Sequence, residues 1–256
     1  MPKRVQSQIF RIVAGRMADG AGIVNEAFER LPKEAKESGH IKSHFSKLVG
    51  DLEESAHKLY REHEKNIGTE ALMEYFGLSG PSIPVPIKLE ERIRESFGEL
   101  NDFFLALSQS RKSRAGKAFE IIIKRLFKSL GYPFDEQVVI NGKPDFLLPS
   151  EKHYRVHATD CIIFTAKRTL RERWRQIVTE GIRGLGFYLA TIDEKVTENG
   201  LREMNANRIY LVVTEHLKNI DHYKTAPNVI TFEQFFRHHL DPAMQRWNDN
   251  GVIDRT

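Results

Sequence analysis

From about residue 109 onward, short apolar runs alternate with helical segments, which limits the chain to folds in which helices cover a β-sheet. Ser113 to Leu130 spaces Ala118, Ile121, Ile122, Leu126 and Phe127 along one helical face, and Gly131 is placed to end that helix. Strands are expected at Gln137 to Ile140, at Asp145 to Leu148 after an Asn141-Gly142 turn, and at Cys161 to Ala166. A helix from Leu170 to Ile182 follows, then a strand at 187–192, a helix from Glu198 to Asn205 and a strand at 209–213. Phe232 to Trp247 reads as a closing helix with Phe235, Phe236 and Leu240 on it. The expected fold class is α/β (α+β mixed): a mixed β-sheet flanked by helices.

The first hundred residues carry a different pattern. Apolar residues recur at three- and four-residue intervals over 23–31, 41–64 and 89–107, as in Phe45, Leu48, Val49, Leu52, Ala56, Leu59 and Tyr60. The prolines between Gly77 and Pro86 forbid helix continuation there, so a loop is expected. The chain thus divides into a helical N-terminal region, 1–108, and a sheet-bearing region, 109–256.

Composition excludes several classes. No run approaches eighteen consecutive apolar residues, so no transmembrane helix and no membrane partner are expected. The basic N-terminus has no continuous apolar h-region of a secretory signal. A single cysteine, Cys161, can form neither an intrachain disulfide nor a cysteine-based zinc site. A reducing, cytoplasmic location fits. No GxxxxGK[ST] run is present, and the glycines between Gly181 and Gly186 follow a helix rather than a strand, so no nucleotide cofactor is expected.

The net charge of +4 is weakly informative, but its distribution is not. Between Arg111 and Arg183 lie 16 basic and 8 acidic residues, a local net of +8, which leaves −4 for the remainder. Concentrated positive charge points to a polyanionic partner such as nucleic acid.

Three elements in the basic segment carry chemistry. Asp145 opens an otherwise apolar strand, where a carboxylate is costly without a partner. Lys167 closes the next one, so the two converge if the strands pair. An acid and a lysine so placed could hold a divalent cation and position a water for attack on a phosphodiester. The plain alternative is a turn-capping Asp145 and a Lys167 whose ammonium reaches solvent. Glu180 lies on the following helix, seven residues after Arg173 and so on the same face. In Arg171-Glu172-Arg173, arginine can donate two hydrogen bonds to guanine O6 and N7, and glutamate can accept from cytosine N4. A solvated Glu–Arg cluster is the competing interpretation. His153 with His157, and His238 with His239, lack a third ligand; the first pair is expected in a loop at the surface.

Lys143-Pro-Asp145-Phe, Thr-Ala-Lys167 and Glu180 together resemble the PD-(D/E)XK nuclease core, in the variant whose middle carboxylate has moved to the following helix. That variant belongs to restriction endonucleases of the EcoRII C-terminal domain, PspGI and NgoMIV group. The similarity runs over about 108 to 215 and is densest at Lys167-Arg-Thr-Leu-Arg-Glu-Arg-Trp-Arg-Gln176. The chain departs from the ordinary motif at Thr165, where most members carry the second acid.

The resemblance implies a restriction-endonuclease-like fold over 109–256 and a type II enzyme. It would cut both strands of double-stranded DNA at a short palindrome containing CC and GG, leaving 5′-phosphates. It implies Mg²⁺ held by Asp145 and Glu180, Lys167 acting on the attacking water, and Glu120 as an accessory acid on the preceding helix. It assigns base recognition to Arg171, Glu172 and Arg173. Arg111, Arg114, Lys117, Arg168 and Arg175 are then expected on the DNA backbone, or in part on a dimer partner, since a palindrome favours a homodimer. The N-terminal helices would contact DNA or form the dimer surface. A repair or junction nuclease of the same fold with little sequence preference, and a DNA-binding protein without catalysis, are the alternatives.

Overall fold

The computed structural model describes residues 7–78, 89–140, 142–170 and 186–253. The N-terminal half is helical as expected, with elements α1 (Gln8–Arg16), α2 (Gly20–Glu29), α3 (Ser38–Ser43), α4 (Phe45–Tyr75), α5 (Leu89–Glu95) and α6 (Phe97–Ser129). α6 joins what the sequence suggests as two helices. Ser108, Ser110, Ser113 and Gly116 are weak helix formers, but the segment includes no proline, and burial of Phe103, Leu107, Phe119, Ile122 and Phe127 along α6 outweighs their propensity cost. Gly131, at φ +72, ends this region in the left-handed conformation that glycine tolerates best.

Two compact units result, Met1–Glu29 with Glu54–Ala118, and Arg30–Glu53 with Phe119–Thr256. In the first, Ile9, Val13, Ala71, Phe103 and Leu107 form an apolar core. The second contains a six-stranded sheet in sequential order: β1 (Asp135–Glu136), β2 (Phe146–Leu148), β3 (Ile162–Ala166), β4 (Gly186–Ala190), β5 (Ile209–Val213) and β6 (Val229–Thr231). β1, β2 and β3 pair antiparallel, and β3 through β6 run parallel. The sheet is mixed, as the order of elements requires.

Both faces of the sheet are covered, so its strands read as continuous apolar runs. On one face Phe146 and Phe164 pack on Phe127 of α6, at ring-centroid distances of 5.7 and 5.3 Å, and Phe235 reaches Phe164 at 5.2 Å. On the other, Leu189, Leu211, Val213 and Val229 pack with Leu201, Met204 and Leu217. Glu233 accepts from the N–H and hydroxyl of Ser46, both at 2.7 Å, and so neutralises the positive end of α4.

Several elements depart from the sequence-based expectation. The strand placed at Gln137 to Ile140 is instead β1, two residues earlier, because Gln137 turns left-handed at φ 54 and breaks the extended run. The segment around His153 and His157 is helix α7 (Glu151–His157), started by the Ser150 side chain accepting from the His153 N–H. His153 is not a surface residue: its ring bonds Asp160 Oδ2 at 2.9 Å and is mostly buried. β6 adds a strand too short to show a periodicity. The closing helix is interrupted by a π-helical turn at Phe236–Leu240, just before Pro242, whose ring cannot continue the i→i−4 ladder. The helix expected over Leu170 to Ile182 lies almost wholly outside the described residues. Among the described residues no helix is long and apolar enough to cross a membrane.

Asp160 pins the C-terminal helix to α7. Its oxygens accept from His153, from Arg246 Nε at 2.7 Å and from Trp247 Nε1 at 3.0 Å. Burial alone would raise its pKa, but the His153 and Arg246 bonds hold it below the ordinary aspartate value. The contribution to stability is therefore full above that ordinary value and is lost as pH falls through the lowered one. Asp160→Ala should cost about 2 kcal/mol in urea unfolding at neutral pH, with the difference from wild type shrinking at acid pH.

Candidate active site

The antiparallel register of β2 on β3 brings Asp145 and Lys167 together. Phe146 stands opposite Phe164, so Asp145, one residue before β2, lies beside the end of β3 that Lys167 leaves. Asp145 is only 3% exposed. A buried carboxylate needs donors on both oxygens, and here it has them. Oδ2 accepts from the Ala166 N–H at 2.8 Å and from Lys167 Nζ at 3.0 Å. Oδ1 accepts from Gln137 Nε2 at 3.0 Å and from the same ammonium at 3.3 Å.

Gln137 links this pair to α6. Its Nε2 also donates to Glu120 Oε1 at 3.3 Å, so one amide spans two carboxylates. The left-handed turn that ends β1 points the side chain there, while the Gln137 N–H donates to the Asp145 carbonyl at 3.3 Å. Sequence reasoning missed this residue, and no residue pattern would have found it. Burial, then the nearby charge of Asp145, pushes the Glu120 carboxyl above its ordinary pKa, with Lys167 acting in the opposite sense. Thr165 is buried and supplies no carboxylate.

The chain leaving β3 is fixed by three contacts. The Lys167 N–H donates to the Ala190 carbonyl at 2.9 Å. The Leu170 N–H donates to Asp193 Oδ2 at 2.8 Å, and the Leu170 side chain is fully buried. Arg168 Nε meets Glu53 Oε2 at 3.1 Å. Arg171, Glu172, Arg173, Arg175 and Glu180 lie outside the described residues.

The other expected phosphate contacts lie in the first unit. Arg111 Nε bonds both oxygens of the buried Glu64 at 2.9 and 3.0 Å. Arg114 donates to the Ala18 carbonyl at 3.0 Å and lies over the Tyr60 ring. Lys117 is exposed on α6. His239 packs against Tyr188 and Tyr210 rather than against acids. Among the described residues no three His, Cys, Asp or Glu side chains gather as a metal group. Asp145 and Glu120 nevertheless offer hard oxygen donors around one position, which suits Mg²⁺ better than a softer metal.

Comparison with known proteins places the chain among restriction endonucleases. The profile of the family described as "EcoRII C terminal" matches residues 85–236. The type II restriction enzyme SsoII of Shigella sonnei is 29% identical over 91% of this chain and 80% of its own length. The type II restriction enzyme EcoRII of Escherichia coli is 36% identical over 136 residues, 49% of this chain and 33% of the relative. Metal-depleted Ecl18kI in complex with uncleaved DNA superimposes with a TM-score of 0.78 at 26% identity, covering 97% of this chain and 87% of that one. The PspGI complex with substrate DNA gives 0.62 at 25% identity, over 93% and 96%.

Glu120 allows a direct check of the site's electrostatics. A carboxyl with a raised folded-state pKa favours the fold when protonated, and that contribution fades as pH rises from the ordinary carboxylate value through the raised one. Glu120→Gln should therefore raise the melting temperature of metal-free protein by about 1–3 °C at neutral pH, and by less near pH 4.

Proposed function

The chain belongs to the EcoRII C-terminal family of type II restriction endonucleases, and on that premise we propose that it hydrolyses both strands of double-stranded DNA at a short palindrome containing CC and GG. The reaction is Mg²⁺-dependent and leaves 5′-phosphates and 3′-hydroxyls. The observation that carries the proposal is the buried Asp145 carboxylate, bonded to Lys167 and linked through Gln137 to Glu120.

Asp145 and Glu180 hold the cation in this proposal, with Glu120 as an accessory acid. The bound cation supplies a Lewis acid that lowers the pKa of water and offsets charge on the phosphate. Lys167, kept in place by its two bonds to Asp145, orients the attacking water and stabilises the charge that builds on the phosphate oxygens. Arg171 and Arg173 read guanine O6 and N7, and Glu172 accepts from cytosine N4. They follow directly on Leu170, whose anchorage to Asp193 fixes where that segment begins. Lys117 and Arg175 contact phosphates. Arg111, Arg114 and Arg168 also hold protein partners, so any phosphate contact they make would use their remaining donors. The DNA complexes of Ecl18kI and PspGI support a duplex substrate. Two symmetric strand cuts at a palindrome favour a homodimer.

A sequenced plasmid incubated with the protein and Mg²⁺ should give discrete fragments whose ends share a site containing CC and GG, and EDTA should stop the reaction. A smear, or no cleavage in any divalent metal, contradicts the proposal. Asp145→Asn, which preserves side-chain shape, should lower the cleavage rate about a thousandfold or more while the protein stays folded by circular dichroism.

A further inference from the structure

We propose that the Gln137 carboxamide is a placeholder for the cation: it braces Glu120 and Asp145 in the metal-free enzyme and is displaced when the metal binds. This rests on the assignment of Asp145 and Glu120 to the metal edge.

The acceptors of Asp145 are unequal. Oδ2 is taken by the Ala166 N–H, part of the backbone, and by the shorter of the two Lys167 contacts. Oδ1 holds the longer Lys167 contact, 3.3 Å, and the Gln137 amide at 3.0 Å. Among the described residues, the Gln137 side chain is thus the one donor to Asp145 that is neither backbone nor charged.

That same nitrogen bonds Glu120 Oε1 at 3.3 Å. The NH₂ group must face the two carboxylates, because a carbonyl oxygen there would bring three acceptors together without a proton between them. Two amide hydrogens, each directed at one carboxylate, partly offset the repulsion that a divalent ion would offset fully. Asp145 Oδ1 already accepts from Gln137 and Lys167, so a cation held there would take the place of a donor, and the neutral amide between Asp145 and the accessory acid Glu120 is the one that carries no charge to lose. The Gln137 backbone, at φ 54 immediately after β1 and with its N–H on the Asp145 carbonyl, sets the residue beside both carboxylates.

Loss of the side chain has opposite effects on the two states. The metal-free enzyme loses its brace, and the cation loses a competitor. Ordinary structural damage would weaken metal binding, so the sign of the change separates a placeholder from a merely structural residue.

The test is Mn²⁺ binding by the full chain, followed by electron paramagnetic resonance of the free ion, for wild type, Gln137→Gly and Gln137→Asn. Both substitutions tolerate a left-handed backbone, and asparagine is too short to span the two carboxylates. The Mn²⁺ dissociation constant should fall about five- to tenfold in Gln137→Gly and fall in Gln137→Asn as well. Added Mn²⁺ should also raise the melting temperature of Gln137→Gly by more than it raises that of wild type. Unchanged or weaker binding in both folded variants overturns the placeholder role and leaves the metal edge standing. Wild type that binds no Mn²⁺, or Asp145→Asn that binds it as tightly as wild type, overturns the metal edge and this inference with it.

Discussion

The structure of the second unit depends on keeping one carboxylate charged and buried. Asp145 is removed from water, and isolated it would cost several kcal/mol. Ala166, Lys167 and Gln137 offset that cost, and each comes from a different structural decision. Ala166 donates because β3 lies antiparallel to β2. Lys167 reaches Asp145 because it is the first residue past that strand. Gln137 arrives because the chain leaves β1 in a left-handed turn. A one-residue slip of β2 on β3 would put Phe146 at the Asp145 position and bury an unpaired charge elsewhere.

The rest of the unit holds that register. Phe127 of α6 touches both Phe146 and Phe164, so the helix that carries Glu120 is packed against the two strands that carry the acid and the lysine. Parallel pairing of β3 with β4 fixes the Lys167 backbone through the Ala190 carbonyl. Asp193, just after β4, then holds Leu170. The path that leaves β3 is therefore bound at both Lys167 and Leu170.

Much of this was legible in the sequence, for physical reasons that differ by residue. Asp145 and Lys167 stood out because charged residues at the ends of apolar runs need an explanation. The mixed sheet followed from the order of strand-like and helical runs, and Gly131 marked the end of α6. β6 escaped because a three-residue strand carries no periodicity. The continuity of α6 escaped because serine and glycine weaken a helix without forbidding it. Gln137 was invisible: a polar residue near a turn has no period, and its role depends on a φ angle and a partner seventeen residues away on α6. The partners of Arg111 and Arg114 were hidden for a related reason. A cluster of arginines announces an anion, but not whether that anion is DNA or the protein's own Glu64.

The central claim is that the Asp145 carboxylate is where the divalent cation binds. Anomalous diffraction from crystals of the full chain grown with Mn²⁺ tests it directly. The account predicts a manganese peak within bonding distance of an Asp145 oxygen, with the Gln137 amide turned away from it. A peak elsewhere, with Asp145 still bonded only to Ala166, Lys167 and Gln137, would contradict it.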